Sequence, residues 1–139
     1  MEEFFRNTLD EFDFHGKDIR DYSPLVLAYL GDAVYEVFIR TLVVSKNDAP
    51  VCRLHKCSTA YVKAKAQSDT IHNIIEHLTQ EEQDIVRRGR NAKSATIPKN
   101  ADISEYKYAT GLESLLGYLY LKKDYQRLMK VLKMCVEDS

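Results

Sequence analysis

The sequence predicts an all-helical fold, and three observations predict it. Period-two alternation of apolar and polar residues is weak along the whole chain. Residues 25–44 form one long apolar run with no proline and no cluster of turn residues. Helix-start chemistry recurs at intervals: Ser23-Pro24, Thr79 with Glu82 three residues on, and Asp102 with Glu105 three residues on. The length of 139 residues favours a single domain, read as spanning 1–139.

Residues 1–22 hold seven acids and three bases, with Phe4, Phe5, Leu9, Phe12 and Phe14 among them. They read as an N-terminal arm, a solvated lead-in with a few docking aromatics. Ser23 can cap free backbone N–H groups and Pro24 suits the first helical position, so a helix over 25–44 follows. Being apolar on nearly every side, it should be central and buried. Asn47-Asp48-Ala49-Pro50 is a turn, and 51–78 reads as helix with an interruption near Ser58. The Thr79–Glu82 capping box opens a helix to about Arg90. Residues 91–101 read as a loop. Asp102 starts a helix over 103–121, Lys122-Lys123-Asp124 is a turn, and a last helix covers 125–136.

Composition excludes several classes. The net charge is -1, from 20 basic and 21 acidic residues, so any nucleic-acid contact must come from a local patch. Three cysteines, Cys52, Cys57 and Cys135, have no paired spacing; with His55 they lack a fourth zinc ligand and read as reduced thiols. The acidic N-terminus is unlike a signal peptide, and no apolar run approaches the roughly 20 residues of a membrane span. A cytoplasmic location without membrane contact is expected.

Two acids sit where acids are costly. Asp32 lies within Leu27-Ala28-Tyr29-Leu30-Gly31-Asp32-Ala33-Val34-Tyr35, and Glu113 within Gly111-Leu112-Glu113-Ser114-Leu115-Leu116-Gly117. Burying a lone carboxylate costs several kcal/mol unless it is paired or metal-bound. Either acid alone reads more readily as half of a buried salt bridge to a lysine or arginine of another helix. Gly31 and Gly117 would let two helices approach closely. Two such helices, each with one inward carboxylate, would make a hard-oxygen site suited to magnesium or manganese, and so to a phosphodiester substrate. Glu36, one turn beyond Asp32, reads as a solvated or paired acid.

The most basic stretch, residues 85–101, has Arg87, Arg88, Arg90, Lys93 and Lys99 and no acid. It can track phosphates or simply sit at a helix C-terminus, where cations suit the dipole. Lys63 and Lys65 are weaker candidates, and Lys65 could instead pair with an acid. Six of the nine tyrosines flank the acidic helices and read as packing rather than as stacking platforms for bases. The four histidines show no nucleophile partner.

Leu30-Gly31-Asp32-Ala33-Val34 resembles the signature helix of the ribonuclease III family, and Gly111 to Gly117 resembles the family's second acidic helix, with Glu113 at the glutamate position. Ala28 and Thr110 stand where the familiar enzymes carry two further acids. Those departures, with Arg88 to Ser94 and Ile97-Pro98-Lys99-Asn100, resemble the Mini-III branch of the family. The resemblance implies a helical catalytic domain without the double-stranded-RNA-binding domain that usually follows. It implies a homodimer with one metal site per subunit, Asp32 and Glu113 acting as catalytic and metal-binding residues, and magnesium or manganese as the metal. It further implies cleavage of double-stranded RNA, the maturation of large-subunit (23S) ribosomal RNA precursor, and help from a large-subunit ribosomal protein. With it, RNA contact becomes the favoured reading of Arg87, Arg88, Arg90, Lys93 and Lys99. The competing reading is a non-catalytic helical dimer that holds structured RNA or a ribosomal protein, motivated by Ala28 and Thr110.

Overall fold

The structure is a computed structural model describing residues 2–93 and 97–137. Its helices are α1 (Glu2–Glu11), α2 (Pro24–Lys46), α3 (Val51–Val62), α4 (Ala64–Ile74), α5 (Gln80–Asn91), α6 (Ile103–Leu121) and α7 (Tyr125–Val136), with single 3-10 turns at Ile19–Asp21 and Ile75–His77. No strand occurs among the described residues. Ser94, Ala95 and Thr96, in the middle of the expected loop, lie outside the described residues.

The cap signals in the sequence form as read. Ser23 accepts from the Leu25 N–H, and Asp102 from the Glu105 N–H. Thr79 and Glu82 make a reciprocal capping box. Glu82 also receives two bonds from the Arg127 guanidinium, each 2.7 Å, which ties the start of α5 to α7. Burial alone would raise the Glu82 pKa, but Arg127 and Thr79 hold it below the usual carboxylate range.

The central helix is α6, not α2. From Ala109 to Tyr120 every α6 residue is buried except Glu113. Helices α2, α5 and α4 pack around it. The whole apolar run of α2 suggested burial on all sides, yet only one face is buried: Leu27, Ala28, Gly31, Val34, Tyr35, Ile39 and Val43. The opposite face leaves Val26, Tyr29, Val37 and Val44 exposed. An apolar run reports how much of a helix prefers to leave water, and does not say against what.

The α2–α6 crossing rests on two glycines. A Cβ on Gly31 would fall on the Glu113 carbonyl, and one on Gly117 would fall on the Leu27 carbonyl, so the two backbones touch. Gly89 of α5 and Gly111 of α6 make a similar close approach. Ser114 Oγ lies 2.8 Å from the carbonyl oxygens of Pro24 and Thr110 and pins the start of α2 to α6.

The predicted interruption near Ser58 falls at Lys63 instead. Ser58 is buried within α3, where a small side chain suits close packing. Lys63 is extended (φ -64°, ψ 153°) and separates α3 from α4. Residues Glu2–Glu11 of the N-terminal arm form a largely exposed helix that docks by a few apolar side chains. Leu9 is buried and the Phe5 ring meets Tyr120 edge-on at 5.2 Å, while Phe4 and Phe12 stay exposed.

Candidate active site

The close α2–α6 crossing carries Asp32 next to Gly31 and Glu113 one turn before Gly117. The two carboxyls come into hydrogen-bonding contact. Burial, then the shared hydrogen bond and charge of Asp32, push the Glu113 pKa up to about 9. Glu36 adds to that push while its own carboxylate takes a bond from Arg40 at 3.0 Å. Asp32 is exposed at the α2 surface, contrary to the burial expected from its apolar neighbours in sequence; Glu113 is half-buried. The same half-exposed helix explains both: Asp32 lies beside the uncovered face of α2, and Glu113 reaches it from the core helix. Ala28 and Thr110 are buried, and the Thr110 hydroxyl donates to the Tyr106 carbonyl at 3.0 Å.

A residue that spacing did not reveal joins them. Gln67 of α4 is 3% exposed, and its side chain lies close enough to Glu113 to act on that carboxyl. Its Nε2 donates to the Val62 carbonyl at 2.9 Å, and its Oε1 has no protein hydrogen-bond partner. The donor set is therefore two carboxyls meeting with no basic side chain paired to either among the described residues, beside a buried amide oxygen. That fits magnesium, which takes one or two carboxylates and keeps several waters. Among the described residues no group of three or more histidines, cysteines or acids meets to form a closed cage. Lys65, which could have paired with a site acid, instead binds Asp69 at 3.0 Å one turn along α4.

The structure divides the basic segment. Arg87 and Arg90 line a cavity of about 280 Å³ between α4 and α5, with His72 and Tyr108. Arg87 pairs with Asp84 at 3.0 Å, and Arg90 lies over the Tyr108 ring at 5.4 Å and donates to its hydroxyl. Arg88 reaches the Arg20 carbonyl at 3.4 Å. Lys93 instead lines a cavity of about 320 Å³ with Leu25, Tyr106 and Thr110. Leu25 opens α2 and Thr110 lies one turn before Glu113, so Lys93 is on the acid-pair side of α6. Lys99 is exposed in the following loop. The three cysteines are free. No helix among the described residues is long and apolar enough to cross a membrane.

Residues 25–124, which contain both acids and the helices that carry them, match the Ribonuclease III domain. The class is therefore an endoribonuclease of ribonuclease III type. Proteins called Mini-ribonuclease 3 are similar along nearly the whole chain. The one from Thermoanaerobacter sp. is 47% identical over 99% of this chain and 97% of its own length. The one from Clostridium tetani is 49% identical over 89% of this chain and 83% of its own. A crystal structure of a Fusobacterium nucleatum protein, 38% identical, superposes with a TM-score of 0.77 over 88% of this chain and 98% of that one. The chain belongs to the Mini-III branch of the ribonuclease III family.

Proposed function

We propose that this endoribonuclease hydrolyses phosphodiesters in double-stranded RNA with a divalent metal held by Asp32 and Glu113, and that it matures large-subunit (23S) ribosomal RNA precursor. The observation that carries the metal reading is the contact of the two carboxyls at the α2–α6 crossing. Like charges this close are unfavourable without a cation or a shared proton. Magnesium, with manganese as its substitute, would neutralise charge on the phosphoryl group and lower the pKa of a bound water. The protein's own part is to fix the two oxygen donors on rigid helices, with the buried Gln67 amide close to Glu113. Lys93 and Lys99, with Arg87, Arg88 and Arg90, would hold backbone phosphates, which suits a duplex read by shape rather than by base edges. Two copies of the chain would join along the exposed apolar face of α2, which runs beside Asp32, and so present two sites to the two strands. A large-subunit ribosomal protein is the expected helper, and the cytoplasm is where such a precursor would be met.

The test is cleavage of a long RNA duplex in magnesium and in EDTA by the wild type, Asp32→Asn and Glu113→Gln. Cutting should need magnesium and fall by at least about 100-fold in both variants, as when a transition-state charge stabiliser is removed. Full activity in either variant would remove that acid from the site. Lys93→Glu should weaken duplex binding and lower the slope of log affinity against log salt by about 1, as loss of one phosphate contact does. An unchanged slope would take Lys93 out of the interface.

A further inference from the structure

In a continuous helix the Val62 carbonyl would accept from Ala66, but the extended Lys63 ends α3 there. The Gln67 side chain takes that place, donating Nε2–H to Val62 at 2.9 Å from within the first turns of α4. A primary amide has two N–H donors and one carbonyl acceptor. One donor serves Val62, and the side chain also lies close to the Glu113 carboxyl. The acceptor, Oε1, is buried without a protein partner. A buried polar atom left unmatched costs free energy and calls for an explanation, such as a bound water, an ion or a role in catalysis.

We propose that Gln67 is a positioning residue of this site, its buried amide bridging the α3–α4 break to Glu113 and holding that carboxylate in place for a divalent cation. This rests on the reading of Asp32 and Glu113 as the metal-holding pair. The amide does two things at once. Its anchor on Val62 removes the rotamer freedom of a long side chain that lies against Glu113. Its free oxygen is an acceptor of the kind that suits the waters magnesium retains. A glutamine that only closed the end of α3 would affect stability and nothing else.

The two roles separate in a magnesium chloride titration followed by thermal unfolding, with no RNA present. The proteins are wild type, Asp32→Asn, Gln67→Met, which keeps length but loses the amide, and Ile71→Val, a core change one turn along α4. The magnesium midpoint of Gln67→Met should rise by about tenfold, the usual effect of removing a group that orients a metal ligand. Ile71→Val should lose stability and keep the wild-type midpoint. A wild-type midpoint in Gln67→Met, or an equal rise in Ile71→Val, would overturn the positioning role while leaving the acid pair intact. A wild-type midpoint in Asp32→Asn would overturn the acid-pair reading itself, and this inference with it. Should Gln67→Met not fold, the wild-type protein answers: the Gln67 side-chain amide resonances should shift when magnesium is added, and unshifted resonances would refute the role.

Discussion

Glu113 is the one α6 residue between Ala109 and Tyr120 that is both ionisable as an acid and not fully buried, and its pKa of about 9 has a consequence for stability. Below the ordinary glutamate range both folded and unfolded chains carry the proton, and the residue is neutral in effect. Between the unfolded value and about 9 the folded, metal-free protein keeps a proton that the unfolded chain has released, so stability falls as pH rises through that window. Glu113→Gln has no such proton. In EDTA it should match wild type near pH 4 and exceed it at pH 8 by about 1–2 kcal/mol, discounted for partial exposure, or roughly 5 °C in Tm. Magnesium should reverse the order by stabilising only the wild type. Equal melting of the two proteins at pH 8 in EDTA would show that burial and Asp32 do not strain this carboxyl. Asp32 and Glu113 were legible in the sequence because an acid on an apolar helix is costly enough to need a reason. The exposure of Asp32 was not, since it depends on which face of α2 meets α6. Gln67 gave no signal at all: glutamine is an ordinary helix former, and only its burial beside Glu113 gives it meaning.

At the scale of elements, the site exists because α2 and α6 touch backbone to backbone. Gly31→Ala would set a methyl against the Glu113 carbonyl, and Gly117→Ala would set one against the Leu27 carbonyl. Neither clash can be relieved by turning a side chain, so the helices must separate. Each change should cost about 3 kcal/mol or more, at the upper end of overpacking, and urea unfolding would read it as a lower midpoint at similar slope. The surviving folded fraction should also bind magnesium more weakly, because the two acids part with the helices. A loss under about 1 kcal/mol in either variant would mean that the crossing is looser than the contacts indicate. The helix starts were legible because capping is local chemistry, carried by Ser23, Thr79 with Glu82, and Asp102. The break at Lys63 was not, because no glycine or proline marks it and the Val62 carbonyl it frees is met by a side chain five residues further on. The central place of α6 was hidden for a related reason: α2 and α6 are comparably apolar, and only the packing decides which one is enclosed.

The molecule as a whole leaves one feature unbalanced. Along α2, Val26, Tyr29, Val37 and Val44 are 44%, 80%, 58% and 62% exposed, at helical spacing on one side of a single helix. Scattered apolar residues need no explanation, but four on one side of a helix beside the acid pair, interrupted only by Arg40 and Thr41, mark a surface that prefers cover. In the proposed dimer a second copy would cover it with the same stripe, the self-complementary arrangement of a two-fold pair. Val37 lies one turn past Ala33 on that side, so in such a dimer Val37→Asp would place two carboxylates near each other across the two-fold axis. The variant should be monomeric by light scattering at micromolar concentration while keeping the wild-type fold by circular dichroism. Its cleavage of duplex RNA should fall by at least about tenfold, as for the loss of a central interface contact worth more than ~1.4 kcal/mol. Mixed dimers extend the argument to the strands. One wild-type subunit paired with one Asp32→Asn subunit keeps a single working acid pair, so it should nick one strand of a duplex and leave the other whole, with nicked RNA accumulating over cut RNA. A Val37→Asp monomer that still cleaves both strands at the wild-type rate would show that each chain works alone, and the apolar face of α2 would then need another partner.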